Sequence, residues 1–103
     1  MGTKHEIGVI LISDKILKDN ESPNWMYRTQ PIEDGDSGWR VFSGDEDDEY
    51  LDNPQNFKTI SAEQLLHIDG DIVVNLYAPI GWSFERNGIT GSWIPVDRGD
   101  ESI

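Results

Sequence analysis

The sequence predicts an α+β domain: a mostly antiparallel, twisted sheet with two short helices on one face. Three observations predict it. Short runs rich in β-branched and aromatic residues recur at IGVILIS (7–13), WMYRT (25–29) and WSFER (82–86), each bounded by Gly, Pro, Asn or Asp. A capping box, Ser61 followed three residues later by Gln64, opens a stretch carrying Leu65, Leu66 and Ile68. Asn87-Gly88 stands between two apolar runs, which is a short-range hairpin signal.

In chain order, residues 7–13 are apolar on both alternating faces, which predicts a central strand buried on two sides. The polar stretch from Asp14 to Asn24 contains Asn20, Ser22 and Pro23 as breakers, with Ile16 and Leu17 able to form a turn of helix. Trp25 to Thr29 resumes a strand. The cluster Asp34-Gly35-Asp36-Ser37-Gly38 then turns the chain into a second strand from Trp39 to Ser43, since these residues tolerate positive φ or bond to their own backbone. Asp52-Asn53-Pro54 is a further turn, and Phe57 to Ile60 a brief extended segment. The helix capped by Ser61 ends before Gly70. Asp71 to Tyr77, DIVVNLY, carries both strand and helix signals and is read as helix, capped by Asp71 and stopped by Pro79. A hairpin with Asn87-Gly88 at its turn closes the fold, and residues 1–6 and 97–103 are expected to be flexible ends of a single domain spanning 1–103.

Composition narrows the chemistry. A chain of 103 residues is the size of one domain, and ten aromatic residues, four of them Trp, are more than a disordered acidic chain carries. Twenty acidic residues against eight basic ones give a net charge of −12. Such a surface disfavours nucleic-acid backbones and anionic membranes and favours a basic partner. The absence of cysteine removes disulfides, thiol catalysis and Cys-ligated zinc. The apolar run at 7–12 is too short for a signal peptide or a span, and Glu6 breaks both the signal-peptide and the myristoylation patterns, so a cytoplasmic location is expected.

The stretch with most functional content is Gly38 to Phe57, GWRVFSGDEDDEYLDNPQNF. Five adjacent carboxylates, Asp45, Glu46, Asp47, Asp48 and Glu49, are bracketed by Trp39, Val41 and Phe42 before and Tyr50 and Leu51 after. Apolar anchors on both sides predict a charged loop pinned to a core and not a solvated tail. With Asp52 these groups sum their potential over a short arc, because successive residues are about 3.8 Å apart and screening acts over about 8 Å. The candidate partner-binding residues are therefore Asp45, Glu46, Asp47, Asp48, Glu49 and Asp52, with Trp39, Arg40 and Tyr50 as the anchors beside them.

Other chemistry finds no pattern. An EF-hand begun at Asp45 would place Tyr50 where Gly is required and Asn56 where Glu is required. Neighbouring carboxylates on a hydrated run cannot take the separate environments that acid and base roles demand. His5 and His67 stand in no metal or nucleophile motif, no glycine-rich phosphate loop is present, and Arg98-Gly99-Asp100 reads as chance in a polar tail. No catalytic or metal-binding residue and no cofactor is predicted, and the chain is read as a non-enzyme.

The block GWRVFSGDEDDEYLDNPQNF closely resembles the signature of immunity protein family 33, first catalogued as a bacterial domain of unknown function. ILISDKIL, WMYR and DIVVNLYAPIGWSFER resemble the family's other blocks, so the likeness covers about residues 7–86. The resemblance implies a small cytoplasmic α+β protein that protects its producer by binding and neutralising the cognate toxin of a polymorphic or contact-dependent competition system. Nuclease toxins are often basic because their substrate is polyanionic, and an acidic inhibitor can occupy such a surface. A second reading is a small regulatory domain whose acidic loop binds a cation or a cationic ligand.

Overall fold

Alternation of side chains along the strands sorts the molecule into a covered and an open side. The computed structural model describes residues 8–96. The expected flexible ends, with His5 and Arg98-Gly99-Asp100, lie outside the described residues. The strands are β1 (Val9–Ser13), β2 (Trp25–Arg28), β3 (Asp36–Phe42), β4 (Phe57–Ile60), β5 (Ser83–Arg86) and β6 (Trp93–Val96). They form one six-stranded sheet in the order β4-β1-β3-β2-β5-β6. Among the described residues only β1 and β3 run parallel, and every other pairing is antiparallel. The α+β class, with a mostly antiparallel sheet, is the one the sequence predicts.

Ile10 and Ile12 of β1, Met26 of β2, Trp39 and Val41 of β3 and Phe84 of β5 all face one side of the sheet and are buried there. Helix α3 (Ala62–Ile68) and a 3-10 helix at Gly70–Tyr77 cover that side, contributing Leu65, Ile72 and Leu76 to the same core. Each fully buried side chain of this size contributes about 1.5–3 kcal/mol, which is what holds the helical layer on the sheet. The predicted capping box forms in full: the Ser61 Oγ accepts from the Gln64 amide at 3.1 Å, and the Gln64 side chain accepts from the Ser61 amide at 2.9 Å. The segment 71–77 is helical as expected, but it is wound as a 3-10 helix and capped by Asp69, whose carboxylate accepts from the Asp71 amide.

Two short helices precede this layer: α1 (Asp14–Leu17), and α2 (Asp48–Leu51) inside the acidic run. The turn at Asn53 becomes a 3-10 helix at Pro54–Asn56, with the Asn53 side chain accepting from the Gln55 amide.

Three expectations change. First, β1 is not buried on both sides: Val9 is exposed and Leu11 half-buried, because only the Ile10 and Ile12 face meets the helices. Second, the final hairpin forms as expected between β5 and β6, but its turn is wider than Asn87-Gly88. The amide of Asn87 donates to Ser92 O and that of Gly91 to Asn87 O, while the Asn87 side chain accepts from the Ile89 and Thr90 amides, so the loop spans 87–92. Third, β3 begins three residues before Trp39. Gly38 permits this with φ of 89°, and any Cβ there would run into the Thr29 carbonyl oxygen.

Candidate functional site

The second face of the sheet is left partly open by the described residues: Leu11, Trp25 and Tyr27 are half-buried there, and Arg40 and Phe42 are buried. Leu11, Trp25, Tyr27, Arg40 and Phe42 alternate with the core positions and line a groove of about 1220 Å³. Its floor is a chain of aromatic rings. Trp25 and Tyr27 have centroids 6.4 Å apart, Tyr27 stacks on Phe42 at 5.7 Å, Phe42 meets Phe57 edge-on at 5.9 Å, and Phe57 meets Tyr50 edge-on at 5.9 Å. Register explains the row: Trp25 faces Phe42 and Tyr27 faces Arg40 across the β2–β3 ladder. Offset and edge-on geometries of this kind suit the ring quadrupoles and stiffen the floor.

Arg40 is built into that floor. Its guanidinium makes two hydrogen bonds to the Asp36 carboxylate, each 3.0 Å, with both side chains about nine-tenths buried. Asp36 also accepts from the amides of Gly38 and Ile32, both at 2.9 Å. The Arg40 bonds, reinforced by these amides against the cost of burial, hold the Asp36 carboxyl well below the usual carboxylate range. The same pairing raises the Arg40 pKa.

The acidic run borders the groove at one end and does not behave as one patch. Asp45 and Glu46 bond back to the fold, Glu46 half-buried and Asp45 with its carboxylate still exposed. The Asp45 carboxylate accepts from Ser43 Oγ at 2.6 Å and pairs with Lys15 at 3.3 Å, and the Ser43 bond, then the Lys15 contacts, lower its pKa. Burial pushes the Glu46 carboxyl up, but the amides of Ser43 and Gly44 with the Ser13 hydroxyl outweigh it, and the net direction is down. Asp47 caps α2 by accepting from the Tyr50 amide at 2.8 Å. Asp48, Glu49 and Asp52 stay exposed. Tyr50 ties the segment down: its ring lies 5.3 Å from the Lys15 ammonium, its hydroxyl meets Ser13 Oγ and Asn56 O, and its carbonyl accepts from the Asn56 side chain at 2.8 Å. An acidic segment that would repel itself in isolation is thus divided between inward bonds, a helix cap and an outward remainder.

The sequence matches the family described as "Immunity protein Imm33 domain" across residues 10–97. The chain belongs to the Imm33 family of immunity proteins. No curated protein and no solved structure matches it significantly. The Imm33 match runs past residue 86 and takes in the β5–β6 hairpin.

In this Imm33 chain the nine predicted binding residues fall into three groups. Trp39 is not at the surface. It is fully buried, donates from Nε1 to Leu76 O at 3.2 Å and carries the Arg28 guanidinium 5.6 Å from its ring, so it pins the 3-10 helix to the sheet. Arg40, Asp45, Glu46, Asp47 and Tyr50 are engaged within the fold. Asp48, Glu49 and Asp52 form the outward set.

The groove itself escaped the sequence reading. Its signal was present as the alternation Trp25-x-Tyr27 and Arg40-x-Phe42, which also fits core strands. Among the described residues no group of three Asp, Glu, His or Cys side chains is arranged to hold a metal ion, and no helix is long and apolar enough to cross a membrane.

Proposed function

We propose that this protein neutralises a cognate bacterial toxin of a polymorphic or contact-dependent competition system by binding it in the cytoplasm of the producing cell, with an acidic surface set against a basic toxin site. Membership of the Imm33 family supports the immunity role. The observation that carries the electrostatic part is the ordered acidic segment: Asp48, Glu49 and Asp52 point outward from a backbone that Lys15, Ser13 and Asn56 fix through Asp45 and Tyr50. A fixed charge array steers a basic partner without an ordering cost at the moment of binding. Neutralisation then needs only occlusion of the toxin's substrate site, so the protein acts as a binder and no reaction is assigned to it.

The test is growth protection. A toxin recovered from the producing strain by pull-down with this protein is expressed in a sensitive host with or without it, and association of the purified pair is followed by stopped flow. The wild type should restore growth. Replacing Asp48, Glu49 and Asp52 by Asn, Gln and Asn should slow association about tenfold at low salt, flatten its salt dependence and leave the melting temperature within a few degrees. Unchanged association would place the interface on another face.

A further inference from the structure

The partly open face of the sheet pairs an aromatic floor with carboxylates that the fold does not use. The groove's own cations are already satisfied: Arg40 by Asp36, and Arg86 by Asp69 and by the Pro23 and Gly91 carbonyls. Two carboxylates that line it, Asp52 and Glu85, have no ion-pair or side-chain hydrogen-bond partner among the described residues. They stand at opposite ends of the aromatic row. Glu85 is the cross-strand neighbour of Trp25 on β5, and Asp52 follows α2, beyond Phe57 and Tyr50. Glu21, Asp45 and Glu46 add further negative charge along the rim.

Half-buried aromatic rings bounded by unpaired carboxylates are complementary to a guanidinium. The planar cation lies on the ring faces, and its edge donates two parallel hydrogen bonds to a carboxylate. A lysine ammonium, more strongly hydrated and without a plane, gains less from such a floor. The fold uses this contact twice for its own arginines: Arg28 lies 5.6 Å from the Trp39 ring centre and Arg86 lies 4.4 Å from that of Trp93. Resting on the toxin-binding reading above, we propose that this groove is the docking face, and that it receives arginine side chains of the toxin on the half-buried Trp25 and Tyr27 rings, paired by Glu85 at one end and Asp52 at the other. The outward acids Asp48 and Glu49 then serve approach, and the groove serves retention.

Two measurements separate this proposal from the reading it rests on. The full-length ¹⁵N-labelled protein is titrated with a capped Gly-Arg-Gly-Arg-Gly peptide and with its lysine counterpart. The arginine peptide should shift the Trp25 indole and the Tyr27 and Phe42 amides and bind about fivefold more tightly than the lysine peptide. The double change Asp52→Asn, Glu85→Gln should weaken it at least threefold. Equal binding of the two peptides, shifts confined to 47–49, or no shifts at millimolar peptide would each overturn the groove assignment.

The second measurement is growth protection by Glu85→Lys, a change at an exposed strand position whose fold is checked by its circular-dichroism melt. Loss of protection supports the groove. Full protection by this variant alongside the wild type overturns the groove while leaving the immunity reading intact. A wild type that fails to protect removes that reading and its toxin occupant together.

Discussion

At the scale of single residues, burial separates groups that look alike in the sequence. Trp39 and Tyr50 bracket the same acidic run, yet one is a core pin and the other a tether at the groove's end. Asp36 and the acids of the run differ in the same way. Asp36 is enclosed with Arg40, whose hydrogen bonds keep it ionised well below the usual carboxylate range. A carboxyl depressed in the folded state stabilises the fold above its unfolded pKa, and that stabilisation is lost as the pH falls toward the folded value. Asp36→Asn should therefore cost roughly 2–3 kcal/mol near pH 6, because Arg40 is left buried without its counter-charge. The gap between variant and wild type should narrow below about pH 4, where the unfolded carboxyl takes up its proton. Urea melts at pH 6 and pH 3 decide this, and a gap that is the same at both would show that the pair is not coupled to folding.

At the scale of elements, the acidic run is the instructive case. Asp47 caps α2 and places Asp48 and Glu49 in its first turn, where negative charge meets the free amides of the helix start. Asp47→Ala should cost about 1 kcal/mol locally and speed hydrogen exchange at the Tyr50 amide, which loses its acceptor, while amides of β3 stay protected. Equal protection at Tyr50 in variant and wild type would mean that Tyr50 and Asn56 alone hold the segment.

This element also shows where a sequence is legible. The Ser61–Gln64 capping box was readable because both partners lie within four residues and the bonds are local. So were most strand positions and the β2–β3 hairpin, since turn chemistry and alternation are short-range. The groove was not. Leu11, Tyr27 and Phe42 are apolar or aromatic like the core residues beside them, and only the tertiary placement of α3 and Gly70–Tyr77 decides which face of the sheet is covered. The split of the acids was hidden for the same reason, because Lys15 and Ser13 reach Asp45 and Tyr50 from a distant part of the chain.

At the scale of the whole molecule, one field has two consequences of opposite sign. A net charge of −12 on 103 residues repels itself in the folded state, where the charges are closest, and attracts a basic partner from a distance. Added salt shortens the range of both effects, since the screening length falls from about 30 Å at 10 mM to about 3 Å at 1 M. The ion pairs oppose the first trend, because salt also weakens them. The pairs Arg40–Asp36 and Arg86–Asp69 are shielded by burial, and Lys15–Asp45 and Lys18–Asp14 have an exposed member and count for little. Self-repulsion should therefore win. Raising sodium chloride from 10 mM to 500 mM should increase the melting temperature by several degrees, while the association rate with the toxin falls by one to two orders of magnitude. Scanning calorimetry and stopped flow on the same preparations measure the two. A melting temperature that falls with salt would mean that the ion pairs outweigh the repulsion, and the acidic surplus would then have to be local to the groove and its rim, where the peptide titration reads it directly.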